Sequence, residues 1–277
     1  MDKLTGTPVG MAEIIQAHHV LREVIQPTPL RHDPTLSDKY GCEVYLKRED
    51  LQVVRSFKLR GAYNLIRSLS EEEWSKGIVC ASAGNHAQGV AHSCNVLHIQ
   101  GKIYMPETPP RQKVTQVKRF GGDYTEIVLV GDTFDDAYKA AVDCAESSGM
   151  TFVHPFDDPM IIAGNGTVGK EIMEGMNAAP DYVFLSIGGG GLAAGVGSYI
   201  RTISPGTKVI GVEPAAGNDG QQSLAEGHVV HIAPPRSIAD GAIVTHVGNH
   251  NFPILQRLVD EIVTVDDAAL VEAMRFF

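Results

Sequence analysis

Residues 182–203 read YVFLSIGGGGLAAGVGSYIRTI, and the fold class turns on this stretch. The apolar run at 182–187 predicts a strand, and the helix-period pattern at 192–203 predicts a helix. Between them stand Gly188, Gly189, Gly190 and Gly191. Glycine lets the backbone turn tightly and approach a ligand with no Cβ in the way. The helix that follows offers free N–H groups and the positive end of its dipole. A strand, an anion-binding turn and a helix in succession form the unit from which parallel α/β sheets are built. The plain alternative is a flexible turn. So dense a glycine run favours a phosphate site.

Working outward, the same alternation runs through most of the chain. Strands are expected at 43–46, 78–81, 102–105, 125–130, 151–153 and 208–212, with helices at 56–69, 85–95, 111–120, 132–147 and 161–176. Short apolar strands separated by longer helices predict α/β architecture, with parallel sheets covered on both faces. Turn chemistry marks the joints: Glu107-Thr108-Pro109-Pro110 precedes one helix and Phe120-Gly121-Gly122 follows it. No internal repeat, low-complexity segment or structureless linker is present, so two lobes joined by more than one crossing are expected.

Composition narrows the function. The 277 residues carry a net charge of −10, and a nucleic-acid partner normally needs a basic face. No apolar run approaches the roughly 20 residues that span a bilayer, and residues 1–10 lack the layout of a signal peptide. Cys42, Cys80, Cys94 and Cys144 lie far apart with no C-x-x-C pair. That pattern predicts free thiols in a reducing cytoplasm rather than structural zinc or disulfides. The sequence ends at Phe277 inside an amphipathic helix pattern, which reads as a truncated chain.

Two further segments carry chemistry. In Arg55-Ser56-Phe57-Lys58-Leu59-Arg60-Gly61-Ala62 a lysine stands at a helix start, where the dipole repels cations. That placement favours a neutral, nucleophilic amine suited to Schiff-base chemistry with an aldehyde. Taken alone, a solvated surface lysine is the commoner case. The turn Ser82-Ala83-Gly84-Asn85-His86 joins a strand to a helix and suits a carboxylate. An ordinary Ser N-cap with an incidental Asn and His competes at even odds. The glycine run also fits G-x-G-x-x-A from Gly188 to Ala193, with Glu213 at the distance of a ribose contact. An NAD-linked oxidoreductase is therefore a competing class. Against it, the motif sits late in the chain rather than in a first βαβ unit.

In order, Ser56-Phe57-Lys58 with Arg60-Gly61-Ala62, the stretch from Ser82 to Gly89 and the four-glycine run resemble the fold type II pyridoxal phosphate (PLP) enzymes. The likeness is closest to the threonine/serine dehydratases, which are related to serine racemase. It begins at Pro27-Thr28-Pro29-Leu30 and takes in Lys47-Arg48-Glu49-Asp50, His154-Pro155-Phe156-Asp157, Gly211-Val212-Glu213-Pro214 and Ile238-Ala239-Asp240-Gly241. Each is weak alone, and the ordered set is specific.

The resemblance implies a tryptophan synthase β-like fold of two lobes. A large domain would comprise 1–75 and 153–277, a small one 76–152, with PLP in the cleft between them. It implies that Lys58 carries the cofactor and acts as base, that Phe57 packs beside it and that Asn85 bonds the ring hydroxyl. Gly188, Gly189, Gly190, Gly191 and Leu192 would hold the phosphate, with Gly241 near the ring. Ser82, Ala83, Gly84, Asn85 and His86 would bind the substrate carboxylate. Glu213, Gly217 and Asp219 match the family's divalent-cation site, suited to Mg²⁺ or Ca²⁺, against a solvated acidic loop at even odds.

The implied reaction removes water and then ammonia from L-threonine or L-serine. Serine racemases place a serine where this sequence has Ala83, so racemisation is disfavoured. Hydroxyaspartate dehydration is the other family alternative, and a non-catalytic relative a further one. The family's C-terminal Ser or Cys that bonds the pyridine nitrogen has no candidate here. A homodimer or homotetramer follows from resemblance alone.

Overall fold

The structure is a computed structural model and describes residues 9–107 and 111–276. Its elements begin with α1 (Met11–Leu21), β1 (Leu30–His32), α2 (Pro34–Tyr40), β2 (Tyr45–Lys47), α3 (Lys58–Ser68), α4 (Glu71–Lys76) and β3 (Ile78–Ala81). Next come α5 (Asn85–Leu97), β4 (Gly101–Met105), α6 (Arg111–Gly121), β5 (Thr125–Leu129), α7 (Phe134–Ser148) and β6 (Thr151–Phe152). The remainder is α8 (Pro159–Gly175), β7 (Tyr182–Ser186), α9 (Gly191–Ile203), β8 (Lys208–Pro214), α10 (Asp219–Glu226), α11 (Asn251–Leu258), β9 (Glu261–Val265) and α12 (Asp267–Phe276). Thr108, Pro109 and Pro110 of the expected turn lie outside the described residues.

The chain divides into two compact units: Met1–His18, Phe156–Lys170 and Ala178–Phe277 form the first, His19–Pro155 and Glu171–Asn177 the second. The chain therefore passes between them more than once, and α8 contributes to both. The stretch expected as a small domain, 76–152, holds the whole four-stranded sheet of the second unit. That unit also takes in residues 19–75.

In the second unit the strand order is β5-β4-β3-β6, parallel throughout. Ile78, Val79, Cys80 and Ala81 are all fully buried. Because successive side chains point to opposite faces, both faces of β3 are covered. Helices α5 and α7 pack on this sheet, and α3 packs on α5. The last contact is close: a Cβ at Gly89 would stand 3.0 Å from the Leu59 nitrogen and 3.1 Å from the Lys58 carbonyl carbon. A glycine on α5 thus lets the start of α3 approach its backbone. Local chemistry fixes the helix ends. Ser70 with Glu73 and Thr133 with Asp136 form capping boxes for α4 and α7, and Gly149 ends α7 at φ 73°. The strand expected at 43–46 appears one to two residues later as β2 and pairs antiparallel with β1, apart from the two parallel sheets.

In the first unit the order is β7-β8-β9, again parallel. Here β7 alternates: Val183 and Leu185 are buried, while Tyr182 and Phe184 face outward, Phe184 64% exposed. Coverage on both faces therefore does not extend to β7. Helix α11 packs on α9. It went unread in the sequence because Pro253 interrupts its pattern, although proline is tolerated in a first turn. Among the described residues no helix is long and apolar enough to cross a membrane.

Candidate active site

The second unit holds the amine and the polar loop. Arg55 adopts φ 59°, a left-handed conformation few non-glycine residues take, and this turn leads the chain into α3. Lys58 is the first residue of α3. Its Nζ donates to the Pro155 carbonyl at 2.8 Å and lies 5.4 Å from the centre of the Phe57 ring. Lys58 keeps some exposed surface, yet desolvation of its amine lowers the pKa to about 8.

On α5, Gly84 is the N-cap and no side chain caps the helix; Ser82 Oγ instead accepts from the Gly84 N–H at 3.1 Å. The Ser is not the cap, so N–H groups at the start of α5 stay open to an anion. Asn85 is exposed and Ala83 half-buried. His86 is buried, with Nε2 2.9 Å from the Val153 carbonyl. Burial first, then the nearby Lys58, pushes its pKa down to about 3. The imidazole is therefore neutral, and since a carbonyl can only accept, Nε2 carries the proton. With the ring engaged there, His86 has its backbone N–H left to offer a substrate.

The same unit contains a buried charge network that the sequence reading missed. Arg60, fully buried on α3, forms bidentate pairs with Glu49 (2.8 and 2.7 Å) and Glu171 (2.6 and 2.8 Å). Lys47 bonds Glu171 and the Thr28 carbonyl, and Thr28 Oγ1 donates to Glu49. Two cations thus meet two carboxylates, the pairing that buried charges require. The network ties the segment around β2 to α3 two residues from Lys58, and to α8. Its sequence signals were the stretches Lys47-Arg48-Glu49-Asp50, Pro27-Thr28-Pro29-Leu30 and Arg60-Gly61-Ala62, none of which had been given a pairing.

The first unit holds the glycine turn. Gly190, at φ +88°, is the N-cap of α9, again with no side-chain cap. A Cβ at Gly189 would clash with the Phe156 ring, 2.2 Å from its nearest carbons, and one at Gly191 would stand 2.6 Å from the Phe156 oxygen. At Gly188 it would meet the Ala242 oxygen at 3.0 Å, which brings the chain beside Gly241 against the turn. Asn251, fully buried, donates to the Gly189 oxygen at 2.6 Å. Asp157 accepts from the N–H groups of Asn249 and His250, each at 2.8 Å. The sequence reading missed both supports. The turn fits a phosphate group: packed glycines hold its shape, and the helix start is uncapped.

Glu213 is fully buried, and its carboxylate accepts from the N–H groups of Gly220 (3.0 Å) and Gln221 (2.9 Å). A buried, occupied carboxylate is no ribose contact, which removes the main support for a dinucleotide site. Asp219 is also fully buried, and neither of its oxygens has a hydrogen-bond partner outside its own residue. Burial raises both acids to about 7. Two adjacent buried carboxylates, one unpartnered, fit a cation. Among the described residues no group of three or more His, Cys, Asp or Glu could hold a metal, so backbone oxygens such as that of Gly217 and water would complete the shell.

Parallel sheets, a glycine turn that fits a phosphate and a desolvated lysine agree with the class fold type II, an α/β architecture. The chain belongs to the family described as pyridoxal-phosphate dependent enzyme, whose model matches residues 21–277. It is 51% identical over 259 residues to the biosynthetic L-threonine dehydratase IlvA of Bacillus subtilis (strain 168), covering 94% of this chain and 61% of that protein. This chain thus spans less than two thirds of that relative. Among solved structures it resembles the processed threonine deaminase isoform 2 of Solanum lycopersicum (TM-score 0.90, 42% identity, 97% of this chain and 79% of that one). It also resembles maize serine racemase (TM-score 0.92, 31% identity, 97% and 80%).

Proposed function

We propose that the chain carries out the PLP-dependent dehydration and deamination of L-threonine, and of L-serine, to 2-oxobutanoate or pyruvate and ammonia. The observation that carries this reading is the Lys58 amine, desolvated to a pKa of about 8 at the start of α3. An amine tuned toward neutral pH can act both as the cofactor's anchor and as a proton acceptor. When bound, PLP supplies an electron sink for the charge left at Cα.

The remaining steps belong to the chain's own groups. Lys58 Nζ takes the Cα proton and holds it. The N–H groups at the start of α5, with Ser82, Ala83, Gly84, Asn85 and His86, fix the substrate carboxylate, and Asn85 holds the cofactor's ring hydroxyl. Phe57 packs beside the ring, with Gly241 near it. Gly188, Gly189, Gly190, Gly191 and the Leu192 N–H hold the phosphate. Ala83 has no proton to deliver, which favours elimination over the racemisation named for the maize relative.

A divalent cation at Glu213, Gly217 and Asp219, Mg²⁺ or Ca²⁺, is supported by the unpartnered Asp219 carboxylate. Residues 76–152 serve as the small domain in this reading. Assembly as a homodimer or homotetramer rests on the family resemblance, and a cytoplasmic location on the free cysteines.

With PLP added, the chain is expected to form 2-oxobutanoate from L-threonine, and Lys58→Ala to lower the rate by about 10²–10⁴-fold. A Lys58→Ala protein that keeps the parent rate would refute the assignment.

A further inference from the structure

The segment at 153–155 touches the site twice. Beyond β6, Val153 extends the ladder by donating its N–H to Val79 O at 2.8 Å, and the chain then turns away. The Val153 carbonyl receives His86 Nε2 at 2.9 Å, and the Pro155 carbonyl receives Lys58 Nζ at 2.8 Å. Pro155 itself has no N–H, so its contact with the Lys58 amine is through its carbonyl alone. Between the two carbonyls, the His154 ring packs edge-on against Tyr138 (6.4 Å, 77°) and Phe152 (6.1 Å, 67°). Those two rings meet each other at 5.4 Å and 77°, geometry that aromatic pairs prefer. One side of the segment is thus held by a cluster of three rings and the other by His86. The helices bearing His86 and Lys58 are themselves pressed together at Gly89.

We propose that His86 is a positioning residue for Lys58: its Nε2–H fixes the segment whose Pro155 carbonyl receives the Lys58 amine whenever that amine is free. The catalytic meaning of this clamp rests on the dehydratase reading, whereas the clamp does not. A lysine that has just accepted a proton is an ammonium with donors to place. The Pro155 carbonyl gives that ammonium a location, through a charge-assisted bond. The imidazole performs this task best when neutral, because a protonated His86 would set a second buried cation beside Lys58. His154, on the segment itself, acts on His86 in the same sense. The clamp also accounts for the orientation of the His86 side chain, which its place in a carboxylate-binding loop does not.

The experiment labels amines of the cofactor-free protein with acetic anhydride across a pH series and follows Lys58 by mass spectrometry. The parent Lys58 should label with a midpoint near 8. In His86→Leu the loosened segment should admit water to the amine and relieve the desolvation that holds its midpoint down. The midpoint should then rise toward the ordinary lysine value of about 10.4, by about one unit or more, and the amine should label faster at its own midpoint. His86→Gln, which keeps an N–H donor, should restore most of the parent profile. A folded His86→Leu protein with the parent labelling profile overturns the proposal. Should His86→Leu fail to fold, Tyr138→Leu loosens the same segment from the ring side and must shift the midpoint in the same direction; an unchanged midpoint overturns it equally. No activity is needed for this readout, so a chain that makes no oxo acid yet shows the shift sinks the dehydratase reading and leaves the clamp standing.

Discussion

A lysine in water holds its proton up to about pH 10.4, so a catalytic lysine has to be made less basic by its surroundings. For Lys58 the sequence offered two sources, the dipole at the helix start and desolvation of a general base; the cause found in the structure is desolvation of the amine. The distinction matters, because a dipole acts wherever the residue sits on the helix end, while desolvation depends on what packs over it. At this scale Ala83 is the residue that we propose separates two outcomes of one chemistry. A serine there would add a hydroxyl able to return a proton to Cα. Ala83→Ser is expected to yield D-serine from L-serine, measured by chiral chromatography, where the parent chain yields none above background. Equal D-serine from both proteins would mean that position 83 does not govern the outcome.

The element that does most to define the family is the turn from β7 to α9. Its glycines serve packing as much as flexibility, since side chains at 189 and 191 would collide with Phe156. Gly191→Ala puts a Cβ 2.6 Å from a backbone oxygen, which cannot swing aside as a side-chain tip can. The turn must then shift, and its N–H groups lose their aim. PLP affinity, followed by absorbance titration, is expected to fall at least about tenfold, or about 1.4 kcal/mol. An affinity equal to that of the parent would mean that the phosphate is held elsewhere. Elements of this kind were legible in the sequence. The strand at 78–81 was read to the residue, because four apolar residues between a helix stop and a Ser-Gly turn leave little choice. The strand β9 and the short helices α10 and α11 were not, since short elements give little period to read and Pro253 interrupts that of α11.

For the whole molecule, the unresolved charge is at Glu213 and Asp219. Both carboxyls are raised to about 7, above their unfolded values near 4. Between those limits the native state binds more protons than the unfolded one, so without a cation stability should fall as pH rises from about 4 through 7. A bound cation favours the charged carboxylates and should flatten that dependence. Thermal melts with and without Mg²⁺ or Ca²⁺ across this range check the sign. Asp219→Asn should raise the melting temperature at pH 7.5 in chelator and abolish the cation's effect. A cation that stabilises Asp219→Asn as much as the parent would place its binding elsewhere.

The sequence alone determined the alternation of strands and helices through most of the chain, the glycine turn, the position of Lys58 and the family. All of these are written in local periodicity and short motifs, which depend on neighbours a few residues apart. Tertiary structure alone decided that the Lys58 amine rests on Pro155, that His86 turns its ring to Val153, and that Arg60 is buried between Glu49 and Glu171. It also decided that Asp219 is buried with no partner for its carboxylate. The reason is physical: desolvation and charge pairing depend on groups brought together from distant parts of the chain. Only closure of the fold sets which polar atoms lose water and what replaces it.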